Sequence, residues 1–344
     1  MSASSSDPAR DGRQRLFAAR LSLVTGVVIL LGKLGAYLAT GSTAVLSDAL
    51  ESVVNVVAAL LLLYSISLAA EPADSNHPYG HGKVEFFSAG VEGTLIVIAA
   101  LVIGVEAGRE LWRGPELYNL DLGLVLIAVL TGLNAAVGRY LIRTGERTRS
   151  LALVADGKHL MTDVVTSVGV VAALIVVRLT GWVILDPLMA LAVAANILRT
   201  GAALLRQAVA GLMDEADLEL LGSLSQALEA RRDPAWIDAH SLRARRSGAL
   251  HHIDLHLVVP RFYDTEQLHV LDDLVHAVAL EASGGGETIV HFDPCRPRHC
   301  AGCRLEDCPV RTRPFAAGAP ISLERATRAD ETLDSGVPVD EEDR

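Results

Sequence analysis

Residues 47–57 read SDALESVVNVV and residues 155–165 read ADGKHLMTDVV, and each stretch places polar side chains at the same spacing within a long apolar segment. In both, an Asp is followed three residues later by a second polar side chain and four residues after that by a third. Residues three and four apart lie on one face of a helix. The later two polar residues therefore project together from each of two helices: Glu51 with Asn55, and His159 with Asp163.

These two pairs have the ligand chemistry of a cation site. Facing each other, they offer three oxygens and one imidazole nitrogen, and four such ligands suit a tetrahedral ion. The carboxylates of Glu51 and Asp163 would also balance the charge of a divalent ion in a low dielectric. Alternatively, the groups only form hydrogen bonds between membrane helices. For Asp48 and Asp156, about one turn from the pairs, guidance of ions and a structural role are both open.

The apolar content predicts a membrane domain. Of the 344 residues, 51% are apolar, and they concentrate in the first 212 residues. A bilayer core of about 30 Å needs about 20 apolar residues per helix. Six segments meet this requirement: about 17–40, 43–70, 84–112, 121–143, 150–179 and 183–211. The first is interpreted as a retained helix, because no small-residue cleavage site of a signal peptide follows it.

The distribution of Lys and Arg predicts the orientation. Arginines are dense before the first segment and between the fourth and fifth, whereas the opposite loops have few. By the positive-inside rule, both termini are cytoplasmic, and we expect the cell membrane as the location. The net charge of −11 comes largely from the C-terminal part, and no basic stripe with aromatic residues predicts a nucleic-acid partner.

The change in composition along the chain predicts five regions. They are a cytoplasmic arm at 1–14, a six-helix transmembrane domain at 15–213, a cytoplasmic metal-binding domain at 214–294, a cysteine cluster at 295–314 and a disordered tail at 315–344. The tail has little apolar content, which is typical of disorder.

The cytoplasmic domain is predicted to be a small α+β fold. Helical spacing of leucines after Asp214 is followed by strand-like runs at Trp236–Arg245 and Leu250–Val259. A helix at about Thr265–Glu281 and a strand at Thr288–Phe292 complete the order α-β-β-α-β. This order indicates an open sandwich like that of metallochaperone domains.

The loop after the second segment, residues 72–85, reads PADSNHPYGHGKVE. Asp74, His77 and His81 within it make a plausible exposed metal site. Together with the two helix motifs, the HPYGHGK stretch resembles the cation diffusion facilitator family over about residues 15–294.

The resemblance implies a six-helix fold, a homodimer and the exchange of metal for protons. By position, Glu51, Asn55, His159 and Asp163 match the family's intramembrane transport site. Asp74, His77 and His81 match its loop site. Lys83 and Asp214 resemble a charged pair that joins the helices to the cytoplasmic domain.

One departure from the family pattern affects the choice of metal. Family members commonly have Asp or His followed by Asp where this chain has Glu51 and Asn55. Harder oxygen ligands favour Mn²⁺ or Fe²⁺, whereas imidazole also suits Zn²⁺, Co²⁺ and Ni²⁺. We rank zinc first, followed closely by iron and manganese, with cobalt and nickel as further candidates.

Histidine is dense in the predicted cytoplasmic domain. His291 and Asp293 share one face of the last strand because they are two residues apart. With further histidines they provide ligands for one or two metal ions at a dimer interface, and all five positions match the family's cytoplasmic metal-binding residues: His240, His256, His269, His291 and Asp293. The alternative is that they are solvated surface histidines.

The four cysteines have the spacing C-x4-C-x2-C-x4-C: Cys295, Cys300, Cys303 and Cys308. Disulfides are not expected on the cytoplasmic side. Four thiolates suit a structural zinc or, as a weaker candidate, an iron–sulfur cluster, and His299 could replace one ligand. Uncommitted thiols are the alternative.

The sequence therefore predicts efflux of divalent transition-metal ions by a protein that is not an enzyme, and the resemblance implies that a homodimer performs it in exchange for protons. The metal ions are both the substrate and resident ions of the cytoplasmic domain. A membrane metal sensor or scaffold that transports nothing is the second hypothesis, and a redox membrane enzyme using the cysteines is the third.

Overall fold

A computed structural model describes residues 8–40, 43–113, 124–180 and 184–329. The chain divides between Met213 and Asp214 into two compact units. We call them the membrane unit and the C-terminal unit, and each is described by itself.

The described residues of the membrane unit form six long helices. They are α1 (Pro8–Thr40), α2 (Thr43–Ala69), α3 (Val84–Arg113), α4 (Leu124–Thr148), α5 (Leu151–Thr180) and α6 (Leu185–Leu212). Within the described residues, three stretches are long and apolar enough to cross a membrane: Arg10–Gly35, Val84–Arg113 and Pro187–Leu212. The prediction of a helical membrane domain is confirmed.

The first helix begins earlier than the sequence predicts. Residues 8–14 were expected in the N-terminal arm, but α1 starts at Pro8, and proline suits the first helical position because its φ is already fixed near the helical value. The polar start of α1 has partners: the guanidinium of Arg15 lies 3.5 Å from the buried carboxylate of Glu85 and donates to the backbone carbonyl of Thr148. Ser150 also donates to Glu85. This network ties the ends of several helices together.

Helices α4 and α5 approach closely at two glycines. A Cβ on Gly157 would lie 2.8 Å from the carbonyl oxygen of Gly138 and 2.9 Å from the backbone nitrogen of Ile142. A Cβ on Gly138 would in turn lie 3.0 Å from the carbonyl oxygen of Gly157. Small residues commonly permit such close packing between membrane helices. Because Gly157 is two residues from His159, this contact also sets the position of that side chain.

The C-terminal unit is a three-stranded sheet with two helices on one face. Its elements are α7 (Leu218–Ala230), β1 (Asp238–Ser247), β2 (Leu250–Val259), α8 (Thr265–Ser283) and β3 (Gly286–Pro294). The strand order is β1-β2-β3, with β1 antiparallel and β3 parallel to β2. Ile253, Leu255 and Leu257 pack against leucines of α7 and the apolar side of α8. The predicted α-β-β-α-β fold is confirmed.

The chain after β3 corrects the prediction of a disordered tail from residue 315. A short 3₁₀ helix (Pro297–Gly302) and the helix α9 (Leu323–Ala326) lie within residues 295–329, which we call the C-terminal extension. Ile321 and Ala326 are buried in the same core as the sheet and α7. Burial of these apolar side chains helps to order a segment whose composition is otherwise polar. Residues 330–344 of the predicted tail lie outside the described residues.

Glu229 of α7 anchors this extension. Its carboxylate accepts from the backbone N–H of Ile321 at 2.8 Å and from the guanidinium groups of Arg232 and Arg304. Burial acts to raise the pKa of Glu229, but these donors outweigh it and hold the pKa below its ordinary value. The carboxylate therefore stays ionised, and the anchor stays in place, at pH values where an ordinary Glu would be half protonated.

The close approach of α4 and α5 predicts the effect of Gly157→Ala. The added methyl group would meet backbone atoms that cannot rotate away, so we expect a loss of about 1–3 kcal/mol in stability, as in other overpacked interiors. Thermal unfolding of the detergent-solubilised protein measures this loss.

Gly132→Ala, on α4, is the matched control. A Cβ there meets nothing within 4 Å, so replacing glycine in a helix should stabilise the protein by about 0.5–1 kcal/mol. Equal melting temperatures for the two variants would show that the backbones of α4 and α5 are not in contact at Gly157.

Candidate metal centres

Three predicted ligands of the intramembrane site meet in the membrane unit. The Nε2 of His159 on α5 lies 3.0 Å from the Oδ1 of Asn55 on α2, and the Nδ2 of Asn55 donates to the Oδ2 of Asp163 at 3.0 Å. His159 is buried, and the other two are half-buried. The side chain of Glu51, the fourth predicted ligand, lies outside the described residues, although its backbone is one helical turn before Asn55.

The geometry of this cluster suits one small cation. Ligands at about 2.0–2.1 Å from a tetrahedral ion lie about 3.3 Å apart, close to the 3.0 Å between His159 and Asn55. Asn55 has only one oxygen to offer, and that oxygen faces His159. Its NH₂ group cannot bind a cation and instead orients the Asp163 carboxylate.

Glu92 of α3 is part of this cluster and was missed in the sequence analysis. Its side chain is completely buried, and its Oε2 lies 3.7 Å from the Nδ1 of His159. Neither carboxylate oxygen of Glu92 has a hydrogen-bond partner among the described residues. A carboxylate in the interior of an apolar segment is costly and usually functional, so the sequence did carry a signal for Glu92. That signal was overlooked because Glu92 has no counterpart in the two paired motifs.

The arrangement of Glu92 and His159 matters for metal binding. When a cation takes the lone pair of Nε2, the imidazole proton must lie on Nδ1, which faces Glu92. A carboxylate behind a ligating histidine fixes its tautomer and ring orientation and raises its basicity. Glu92 is therefore placed to support His159 as a ligand.

Asp156 has a different environment from the three clustered ligands. It is buried, and its Oδ2 accepts from the hydroxyl of Ser22 on α1 at 2.5 Å. This bond links α1 to α5, which favours the structural role over the guidance of ions. The side chain of Asp48 lies outside the described residues.

The predicted loop site is assembled between α2 and α3. The Nδ1 of His77 lies 3.2 Å from the Oδ1 of Asp74 and 3.0 Å from the Nε2 of His81. The Oδ2 of Asp74 lies 3.5 Å from His81. Backbone N–H donation from His77 to Asp74 lowers the pKa of this carboxyl, so it remains an ionised ligand. Gly80, with φ of 75°, provides the left-handed turn that brings the two histidines together.

Four of the five predicted ligands of the C-terminal unit lie on one face of the sheet. His240, His256 and His291 are direct neighbours across the three strands. The Oδ2 of Asp293 lies 3.0 Å from the Nδ1 of His256 and 3.4 Å from the Nε2 of His240, and its Oδ1 lies 3.6 Å from the Nε2 of His291. The carboxylate thus lies among three imidazoles, a mixed N/O donor set that fits a divalent transition-metal ion.

The structure does not bring His269 to this group. His269 is exposed on α8, which packs on the face of the sheet that carries Ile253, Leu255 and Leu257. His256 alternates with those residues and therefore faces the other way. Within one chain, the site has four candidate ligands, and a role for His269 stays a prediction.

The four cysteines line a single cavity in the C-terminal extension. They form no disulfide, and Cys300 and Cys303 are buried. Burial raises the pKa of Cys295. Burial also acts to raise the pKa of Cys300, but hydrogen bonds from Thr312 and the backbone of Arg313 lower it overall.

Lys83 and Asp214 belong to different units, so their predicted pairing stays a prediction. Lys83 lies just before α3, and Asp214 follows α6 with a positive φ of 53°.

Comparison with known proteins gives matches over most of the chain. Residues 19–213 match the family profile described as the cation efflux transmembrane domain, and residues 219–295 match the profile described as the cytoplasmic domain of cation efflux proteins. An uncharacterized transporter of Synechocystis sp. is 42% identical over 266 residues, which cover 76% of this chain and 84% of that protein.

Two further relatives have names that state an activity. The cation-efflux pump FieF of Serratia proteamaculans is 30% identical over 81% of this chain and 92% of its own length. The FieF pump of Escherichia fergusonii is 29% identical over 86% of this chain and 98% of its own length.

The position of Glu92 predicts the effect of Glu92→Gln. Without the carboxylate behind His159, we expect the affinity of the membrane-unit site for Zn²⁺ to fall about 10- to 100-fold. Competition with a fluorescent chelator measures this change in protein whose C-terminal site carries His256→Ala and whose loop site carries His77→Ala. Glu92→Asp, which keeps the charge, is expected to lie between the wild type and Glu92→Gln.

The control is Glu106→Gln on the same helix. The Glu106 side chain is 60% exposed and pairs only loosely with Arg109, at 3.4 Å. The Glu106→Gln change should leave the zinc affinity unchanged. If Glu92→Gln also left the zinc affinity unchanged, a supporting role for Glu92 would be excluded.

The place of Asp293 among three histidines predicts that Asp293→Asn reduces the metal content of the C-terminal unit. The amide adds a donor that cannot bind a cation and removes the negative charge that balances it. Metal content of the purified full chain, measured by mass spectrometry, should fall relative to Asp254→Asn, an exposed Asp on β2. Equal metal content in both variants would contradict this assignment.

Proposed function

The chain belongs to the cation diffusion facilitator family, and we propose that it exports divalent transition-metal ions, zinc first among them, from the cytoplasm in exchange for protons. The family consists of membrane transporters, so the protein is a transporter of cations rather than an enzyme.

The observation that carries the proposal is the cluster of Asn55, His159 and Asp163 in the membrane unit. Polar and ionisable groups are expensive inside a membrane and usually mark an ion pathway. Two helices contribute these groups, and a third contributes the buried Glu92 beside His159. A divalent cation bound here would balance the negative charge of the carboxylates of Asp163 and Glu92.

Transport follows from competition between metal and protons for the same atoms. With both termini in the cytoplasm, metal enters from that side and exchanges its water for Asn55, His159, Asp163 and Glu51. The helices then open to the other side. There, protons bind to His159 and the carboxylates and release the metal, because these ligands must be deprotonated to hold it. A proton gradient directed inward across the cell membrane thus drives metal outward.

The ligand set supports zinc with iron and manganese close behind. A set of one imidazole nitrogen and several oxygens suits Zn²⁺. Because Asn55 is neutral where family members commonly have a carboxylate, the site has less negative charge. Cobalt and nickel accept the same ligands. The choice therefore depends on His159, the only nitrogen ligand in the cluster.

The two other centres support a role in metal supply and control. In the loop triad, Asp74 and His77 are exposed whereas the side chain of His81 is largely buried, so a metal bound here would be reached from the side of Asp74 and His77. The face with His240, His256, His291 and Asp293 has the donors to hold resident ions. Shared between the protomers of a homodimer, such ions would link transport to the cytoplasmic metal level.

A membrane sensor that binds metal without transporting it is the alternative. The C-terminal histidine cluster alone would be sufficient for a sensor. A sensor does not need the buried polar cluster among α2, α3 and α5. His159→Ala separates the two functions: a transporter loses its protection of cells against metal, whereas a sensor keeps its C-terminal site and its effect.

The proposed exchange predicts zinc flux in proteoliposomes that depends on the pH gradient. A gradient in the antiport direction should accelerate flux, and its collapse with a protonophore should remove the acceleration. Asn55→Ala and His159→Ala should reduce flux to the level of empty vesicles. Entrapped fluorescent zinc indicators provide the measurement.

Asn196→Ala is the matched control, because Asn196 is exposed on α6 and the change is the same as at Asn55. It should retain wild-type flux. Flux that ignores the pH gradient would exclude proton exchange, and flux that survives His159→Ala would exclude transport through this cluster.

A further inference from the structure

The four cysteines lie at and beyond the end of the region that matches the family. That match ends at residue 295, so Cys300, Cys303 and Cys308 fall outside it. The proposed transport function uses none of them. Yet they are spread over 14 residues in which the regular structure is one short 3₁₀ helix, and they still line one cavity.

The backbone around the cavity presents the thiols from two directions. Cys295 follows β3 directly, and its N–H donates to the carbonyl of Val259 at 2.8 Å, so this thiol is fixed to the sheet. Cys300 and Cys303 lie at a tight turn in which the N–H of Cys303 donates to the carbonyl of Cys300. Cys303 is 5% exposed and packs with Val258 of β2 and with Ile237, which directly precedes β1.

The cavity also has the charge that a tetrathiolate metal centre requires. Four thiolates around one Zn²⁺ carry a net charge of −2, and Arg261, Arg296 and Arg311 line the same cavity. Arg311 donates to the carbonyls of Cys300 and Cys303, at 3.1 and 3.3 Å, and to the carbonyl of Leu305. It therefore holds the loop that carries two of the thiols.

His299 is not placed as a ligand. Its Nδ1 accepts from the backbone N–H of Arg296 at 3.0 Å, and its Nε2 lies 3.3 Å from the guanidinium of Arg298. Both ring nitrogens are thus engaged in the described structure. The donor set is then the four sulfur atoms alone.

We propose that Cys295, Cys300, Cys303 and Cys308 bind one resident Zn²⁺ ion that fastens the C-terminal extension to the sheet. This ion is structural and is distinct from the transported metal and from ions held by the histidines. When His, Cys, Asp and Glu ligand atoms are counted among the described residues, groups of three mutually within 4.8 Å occur at the two histidine–aspartate triads and not at the cysteines. Binding of zinc would therefore bring the sulfurs closer, to the separation of about 3.8 Å that Zn–S bonds of about 2.3 Å require.

The extension needs such a crosslink because its regular structure is small. Between β3 and residue 329 it has only a six-residue 3₁₀ helix and the four-residue α9. Segments too small to build a core commonly depend on a metal or a disulfide. Zinc at the cysteines would fix the near end of the extension, while Ile321 and Ala326 fix the far end in the core.

The test is the zinc content of the purified full-length protein after washing with a mild chelator. We expect one zinc per chain that survives His159→Ala and Asp293→Asn, and that disappears in Cys300→Ser and Cys303→Ser. If zinc were lost in these two variants only, the ion would be located at the cysteines. This conclusion would hold even if none of the proteins transported metal. Growth with Co²⁺ should give the intense sulfur-to-cobalt charge-transfer band of a tetrathiolate site in the wild-type protein.

Val310→Ala controls for packing, because Val310 lines the same cavity without a ligand atom. It should keep the zinc, and trypsin cleavage within the extension should increase in the two cysteine variants but not in Val310→Ala. Zinc content unchanged by Cys300→Ser and Cys303→Ser would overturn the proposal. Iron with acid-labile sulfide, or four thiols that react at once with a thiol reagent in the purified protein, would also overturn it.

Discussion

The cost of holding polar side chains in a membrane is the constraint on which the structure of the membrane unit depends. Asn55, His159 and Asp163 satisfy much of their hydrogen-bonding capacity with one another, and each bond joins α2 to α5. Glu92 brings a carboxylate whose oxygens have no hydrogen-bond partner among the described residues. The glycine contact between α4 and α5 positions the same turn of α5. A cation that binds here would relieve the repulsion of the carboxylates and hold the helices together.

The same chemistry is arranged differently in the C-terminal unit. There, a sheet rather than a helix pair sets the spacing, and neighbouring strands place three imidazoles in a row beside one carboxylate. These side chains are partly exposed, so water solvates them when no metal is bound and the free-energy cost of the metal-free state is small. A site of this kind suits reversible binding, whereas the cysteine cavity, with two buried thiols, suits an ion that stays.

Helical spacing and strand alternation were enough to predict most of this arrangement. The i, i+4 pairs identified Asn55, His159 and Asp163, and alternation placed His291 and Asp293 together. Glu92 was missed because periodicity cannot show which helix lies behind a histidine. His269 was grouped with the strand histidines although α8 covers the opposite face of the sheet. The alternation of Ile253, Leu255 and Leu257 with His256 already indicated that the helices cover the face without the histidines. At the far end of the extension, Ile321 and Ala326 are buried in the core, and this burial is a tertiary effect that composition does not reveal.

Anomalous diffraction at the zinc edge, from crystals of the full chain grown with zinc, tests the central claim most directly. The account predicts a peak about 2.0–2.2 Å from the Nε2 of His159 and from oxygens of Asn55 and Asp163. Zinc peaks confined to the loop triad and the C-terminal unit, with none among these three side chains, would contradict it.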